Sequence, residues 1–184
     1  MLTEGENTLE IDNKWPEIAI FQTKKYRNAR VEAHNALFWM ARASHSFLDP
    51  ALGNSHLSLF WNEDHCDFRT RLLVDGCQIG LHLPDLELYF CDHGEKVPHS
   101  FWLDDRTPAF VEAWYLVELL HRGIEQEKFS TALPFESPDM LMGDTEDHNA
   151  SLFKTELTAM SECLSGAINI LKIVADQLAR HKDF

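Results

Sequence analysis

Apolar and polar residues alternate on both sides of the dipeptide Asp75-Gly76, and that alternation predicts a β-hairpin. Asp-Gly is a strong hairpin signal because both central residues of a type I′ turn need positive φ. A two-residue turn there sets Val74 opposite Cys77, Leu72 opposite Ile79, Thr70 opposite Leu81 and Phe68 opposite Leu83, so one face is apolar. The other row holds Leu73 opposite Gln78, Arg71 opposite Gly80 and Arg69 opposite His82. A slip of one residue would exchange the two faces, so burial of one face specifies the register. Beyond Pro84-Asp85 the alternation continues through 86–92, with Leu83 beside Leu86, Leu81 beside Leu88 and Ile79 beside Phe90. A strand over 55–61 precedes the hairpin, and a turn at His93-Gly94 leads to a fifth over 97–103. That last strand is an edge, because Pro98 cannot donate to a ladder.

Helical spacing takes over on either side. Residues 24–48 run without glycine or proline and place Val31, His34, Leu37, Phe38, Ala41, His45 and Leu48 on one stripe. Asp49-Pro50 stops this helix and Gly53-Asn54 turns the chain. Thr107-Pro108 and Arg122-Gly123 bracket a second helix with Phe110, Val111, Trp114, Val117 and Leu120 as its buried stripe. Residues 127–133 suggest a short strand, and 134–142 a loop. A long helix over about 149–181 repeats Phe153, Leu157, Met160, Leu164, Ala167, Leu171, Val174 and Leu178 at steps of four and three, a continuous seam. It covers the sheet or the first helix, or it extends past the domain to pair two subunits. The expected fold is α+β: a five-stranded antiparallel meander sheet with helices packed on one face and a long C-terminal helix. Residues 1–23 form an N-terminal extension and 24–184 a single domain.

The 184 residues suffice for one core. A net charge of minus 14 repels phosphate backbones and anionic lipid heads, which argues against nucleic acid and membrane partners. Acidic Glu4, Glu6, Glu10 and Asp12 stand where a signal peptide needs basic and then apolar residues, and no apolar run approaches the roughly 20 residues of a bilayer span. A cytoplasmic protein is expected, with Cys66, Cys77, Cys91 and Cys163 reduced and structural.

On the polar sheet face the expected register lines up Ser58, Arg69, His82 and Glu87 in one row and His56, Arg71 and Tyr89 in the next. Such a row is either a solvated ladder of ion pairs or a ligand-binding surface. Arginine forks with directed histidine and tyrosine donors suit a small anion, and Phe60, Tyr89 and Trp102 on the same face suit a covering partner. Ligand-binding candidates are therefore His56, Arg69, Arg71, His82 and Tyr89. Metal spacing is absent from His65-Cys66 and Cys91-Asp92-His93, whose histidines the meander sets about 25 Å apart. Glu146 and His148, in an acidic stretch that also suits a helix N-terminus, are weak metal or acid–base candidates. His34 and His45 read as core or boundary histidines. No phosphate loop or nucleophile motif occurs, and no cofactor is expected.

The order of Trp39, Pro50, Asn54 and His56 leading into Leu57-Ser58-Leu59-Phe60, then Pro134-Phe135-Glu136, then Asp144, Glu146 and His148, resembles a bacterial family known only as a domain of unknown function. The resemblance spans about 24–151; it implies the same helix–meander–helix fold and adds weight to His56 and His148. The first functional expectation is a non-catalytic binding or adaptor protein acting as a homodimer through its polar sheet face or C-terminal helix. The alternative is a small metal- or His/Glu-dependent enzyme using His56 and the Glu146/His148 cluster. A third is an acidic chaperone-like protein that binds an extended segment along the 97–103 edge.

Overall fold

Thr23 starts the first helix by accepting a hydrogen bond from the Tyr26 amide (3.0 Å), and α1 runs Lys24–Phe47 before Leu48 turns extended. The computed structural model describes residues 15–180 except 131, 134, 136–139, 142, 143 and 145. The expected extent of α1 holds, but its buried face is different. Ala29, Ala33, Ala36, Met40 and Ala43 face the core, while Val31 and His34 are exposed. These positions also recur at steps of four and three, and their short side chains let the helix backbone lie close to its neighbours, with Leu37 and Phe38 at the margins.

The sheet is antiparallel with spatial order β1 (Phe60–Asn62), β2 (Asp67–Arg69), β3 (Cys77–His82), β4 (Glu87–Asp92), β5 (Glu95–Lys96), and β6 (Phe101–Trp102) also pairs with β4. Between β3 and β4 the expected register is observed, with Ile79 opposite Phe90 and Leu81 opposite Leu88. Between β2 and β3 it is displaced by two residues: Phe68 faces Leu81 and Asp67 faces His82. The turn causes the displacement. Three residues, Val74–Gly76, close it, with Asp75 and Gly76 at φ 52° and 74°, and Leu73 N–H donates to Cys77 (2.7 Å). Arg71 and Leu72 then stand against Gln78 alone, whose side-chain Nε2 donates to the Thr70 carbonyl (2.9 Å), an extra-residue bulge. The bulge sends Leu73 inward and leaves Leu72 and Val74 exposed. A two-residue shift preserves the faces elsewhere, so Thr70, Ile79, Leu81 and Leu88 stay buried.

The strand expected over 55–61 is shorter, because Leu52–Leu57 forms a 3-10 turn in which Gly53 and Asn54 adopt left-handed φ of 64° and 56°. Of the fifth strand expected over 97–103 only β6 forms; β5 precedes it, both lie on β4, and Pro98 occupies the break between them.

The second helix, α2 (Pro108–His121), has the expected ends, with Gly123 at φ 67° beyond it. It is turned so that Val111, Tyr115, Glu118 and Leu119 face inward and Phe110, Val117 and Leu120 outward. Tyr115 decides the orientation, since its ring packs among Trp39 (5.7 Å), Phe90 (5.8 Å) and Phe129 (5.0 Å). Residues 126–128 form a 3-10 turn instead of a strand, which delivers Phe129 to that cluster. Most of the expected 134–142 loop lies outside the described residues.

The last helix, α3 (Lys154–Arg180), follows a 3-10 turn at Ser151–Phe153. Leu157 and Ala159 are buried, whereas Leu171 (62% exposed) and Leu178 (61%) are open. By length and composition α3 would also suffice to cross a membrane, although polar residues interrupt its apolar run. The end of the N-terminal extension is held: the Trp15 indole lies on Gly166, and Phe21 meets Tyr26 edge-on (4.9 Å), while Ile18 is exposed.

Gly80 stands opposite Tyr89, and the tyrosine ring lies across the space a Cβ would fill. Gly80→Ala is expected to lower unfolding free energy by about 1–3 kcal/mol, read as a fall in the denaturation midpoint; an unchanged midpoint would show that the ring is free to move.

Candidate functional site

The outer sheet face carries two polar rows, and the two-residue displacement changes who meets whom. Asp67, His82, Glu87 and Trp102 form one row, and Phe60, Arg69, Gly80 and Tyr89 the other. Because Gly80 has no side chain, Tyr89 leans across it and donates its hydroxyl to Asp67, which also receives Arg69 through two nitrogens at 3.3 Å. Burial first, and the bonded Asp67 second, push the Tyr89 pKa upward. Lys96 lies over the Tyr89 ring (4.4 Å) and binds Glu87 (2.8 Å). His82 Nδ1 is 3.1 Å from Asp85 at an angle that forms no hydrogen bond, and burial pulls the imidazole pKa down. The face is a groove of about 650 Å³ in which Asp64, Asp67, Asp85, Glu87 and Glu95 surround Arg69 and Lys96. Both cations are already committed to carboxylates, so the expected small anion would meet a net acidic wall.

A second site lies between α1 and the start of α2. Its walls are Phe38 and Trp39 on one side, Pro108 and Ala109 on the other, and Met140 and Leu141 across, enclosing a cavity of about 180 Å³. Three charged or titratable groups enter it. Arg42, buried, lies over the rings of Trp39 (4.4 Å) and Phe129 (4.9 Å); its Nε donates to the Ser130 carbonyl (3.0 Å) and its Nη2 pairs with Glu112 (3.4 Å). Burial lowers the Arg42 pKa, Glu112 opposes that, and an arginine stays charged. Nη1 has no partner among the described residues.

His148 is the third group, 0% exposed. Its backbone is pinned, with the amide donating to Arg106 (3.0 Å) and the carbonyl accepting from Asp105 (2.9 Å). Its Nδ1 lies 3.1 Å from Glu32 of α1. A carboxylate only accepts, so Nδ1 carries the proton, and Nε2, in a buried position, has no partner among the described residues. Buried polar atoms are nearly always paired with protein or ordered water, and this one belongs to a residue that lines the cavity.

Of the five expected binding residues, Arg69, His82 and Tyr89 share the sheet groove and two do not. His56 is buried under the 51–56 turn, accepting from Ala51 N–H (3.2 Å) with its ring 6.2 Å from His45, because that stretch is not a strand. Arg71, at the bulge, is exposed and donates to the Ser55 carbonyl (3.2 Å). The expected His56–Glu146–His148 constellation does not assemble. Glu146 is exposed, Glu32 takes its place, and Glu32 and His45 are thirteen residues apart on α1, about 20 Å along its axis. Arg42, Glu112 and Glu32 were missed, although an arginine one turn after Trp39 in an alanine-rich buried stretch is the kind of charge that signals a site.

Comparison with known protein families, curated proteins and solved structures finds no match.

Two buried tyrosines separate bonded from unbonded hydroxyls. Tyr89→Phe takes a donor from buried Asp67 and is expected to cost about 1–3 kcal/mol, whereas the Tyr115 hydroxyl has no partner among the described residues and Tyr115→Phe is expected to stay within about 0.5 kcal/mol of the parent or to stabilise it. Paired denaturant titrations check both.

Proposed function

We propose that the protein binds a small molecule in the α1–α2 cavity, with its planar part against Trp39 and its polar groups on Arg42 and His148. The Nε2 of His148, which has no partner among the described residues, carries this reading. The cavity, near 180 Å³, is close to the roughly 150 Å³ that accommodates benzene and below the about 300 Å³ where drug-sized sites begin, so one ring fits. Arg42 Nη1 takes an acceptor oxygen, and His148 Nε2 takes an N–H or O–H. A single-ring acid with a second polar hydrogen satisfies both, and Glu112 at the wall excludes a second acidic group.

The test is a titration with benzoate, 4-hydroxybenzoate, nicotinate and the matching amides, followed by calorimetry and tryptophan fluorescence. At least one acid is expected to bind, with affinity reduced about 10- to 100-fold by Arg42→Met or His148→Ala. Binding by no acid, or equal binding to both variants, overturns the proposal.

A second reading is favoured by the Glu32–His148 bond: a carboxylate-oriented imidazole is a general base. Exchange of the α-carbon hydrogen of bound mandelate, a single-ring acid with a second polar hydrogen, in D2O, slowed by Glu32→Gln without loss of binding, would identify catalysis; no exchange leaves binding alone.

For the assembly we infer a homodimer through the C-terminal half of α3. Leu171, Val174 and Leu178 continue, in the open, the seam that Leu157, Met160 and Leu164 bury within the chain. The parent protein is expected to sediment as a dimer and Leu171→Glu/Leu178→Glu as a folded monomer; a monomeric parent, or partition into lipid vesicles in place of self-association, contradicts the dimer.

A further inference from the structure

At the far end of α2 from the cavity, two histidines and a glutamate converge from separate parts of the chain. Glu118 and His121 are three apart on the helix and share a face, so their side chains reach the same point. His99 arrives from the break between β5 and β6, where Pro98 stops the edge strand and the chain leaves the ladder. The imidazole Nδ1 atoms of His99 and His121 lie 3.8 and 3.9 Å from Glu118 Oε1, and one ligand atom from each of the three residues falls within 4.8 Å of the others. Both distances are too long for a hydrogen bond, and no donor reaches Oε1 among the described residues.

We propose that His99, Glu118 and His121 form a binding site for a divalent transition ion of the zinc class. Two imidazoles and a carboxylate are borderline ligands that suit Zn²⁺ and leave a fourth position for water. Tetrahedral coordination at ordinary Zn–N and Zn–O lengths puts ligand atoms about 3.3 Å apart, so separations of up to 4.8 Å must close by as much as about 1.5 Å, a change that rotation of the two exposed imidazoles supplies. Glu118 is already fixed for the purpose. Its side chain is 5% exposed, and its other oxygen, Oε2, accepts from Arg122 Nη1 (2.7 Å). Arg122 is in turn held by Asp92 (3.0 Å) and lies over the Phe90 ring (4.3 Å). A carboxylate bonded in this way presents a single oxygen in a set direction, the role an outer partner plays at metal sites. The two histidines are 66% and 59% exposed, which leaves an open path from solvent and lets either be replaced without touching the core. The bound ion would tie the edge of the sheet to the end of α2.

The experiment uses the full chain, dialysed against chelator and titrated with Zn²⁺ by calorimetry, with Co²⁺ absorption reporting the geometry. The expected result is one equivalent bound, affinity lowered at least about tenfold by His99→Ala and by His121→Ala, and no change with His34→Ala, an exposed histidine outside the cluster. Zn²⁺ should also raise the melting temperature of the parent and not that of the double variant. No binding, or equal binding by the double variant, overturns the site.

Discussion

The six-residue ladder between β3 and β4 is the reference for everything else in the molecule. Ile79 opposite Phe90 and Leu81 opposite Leu88 put large side chains on one surface, against which α1, α2 and the start of α3 are assembled. The same pairing sets Gly80 beside Tyr89 on the reverse surface, where the phenol crosses to Asp67. One hydrogen-bonded ribbon therefore organises both a dry side and a polar side, and a change in its phase would dismantle both.

Helix contact explains where the cavity forms. Along most of α1 the inward residue is alanine, which permits close approach, but toward Trp39 and Arg42 the side chains become large and one is charged. α2 cannot close on that stretch, and Pro108, Ala109 and Glu112 stand off it. The guanidinium is retained by aromatic rings and a carbonyl, an arrangement that tolerates burial of charge because each face of the group has a partner. His148 has no such closure on Nε2. An unmet atom beside a standoff of this kind costs stability unless a ligand supplies the missing bond.

Helix ends were legible because caps and breakers act locally: Asp49-Pro50, Thr107-Pro108 and Arg122-Gly123 each mark a real terminus, whereas the Thr23 cap of α1 was not read. Which stripe of a helix is buried was less legible, since α1 hides alanines and α2 turns to seat Tyr115, choices made by tertiary packing. The β3–β4 register was readable from alternation alone. The β2–β3 register was not, because Asp75-Gly76 sits in a three-residue turn followed by a bulge, and that moved Asp67 into the place expected for Arg69. The Glu32–His148 pair spans 116 residues, and no spacing rule reaches that far. His148 could be singled out in the sequence, but its partner could not.

The break at Pro98 has a consequence for how this chain meets others of its kind. β5 and β6 offer only two residues each, and β1, at the opposite border, only three. Among the described residues, an extended segment seeking to add itself to the sheet finds no border strand longer than three residues, which counts against the 97–103 border as a chaperone-like groove. The same brevity denies a template to stacking of strand upon strand, so crowding of this acidic protein should lead to association through helices and not to cross-β fibres.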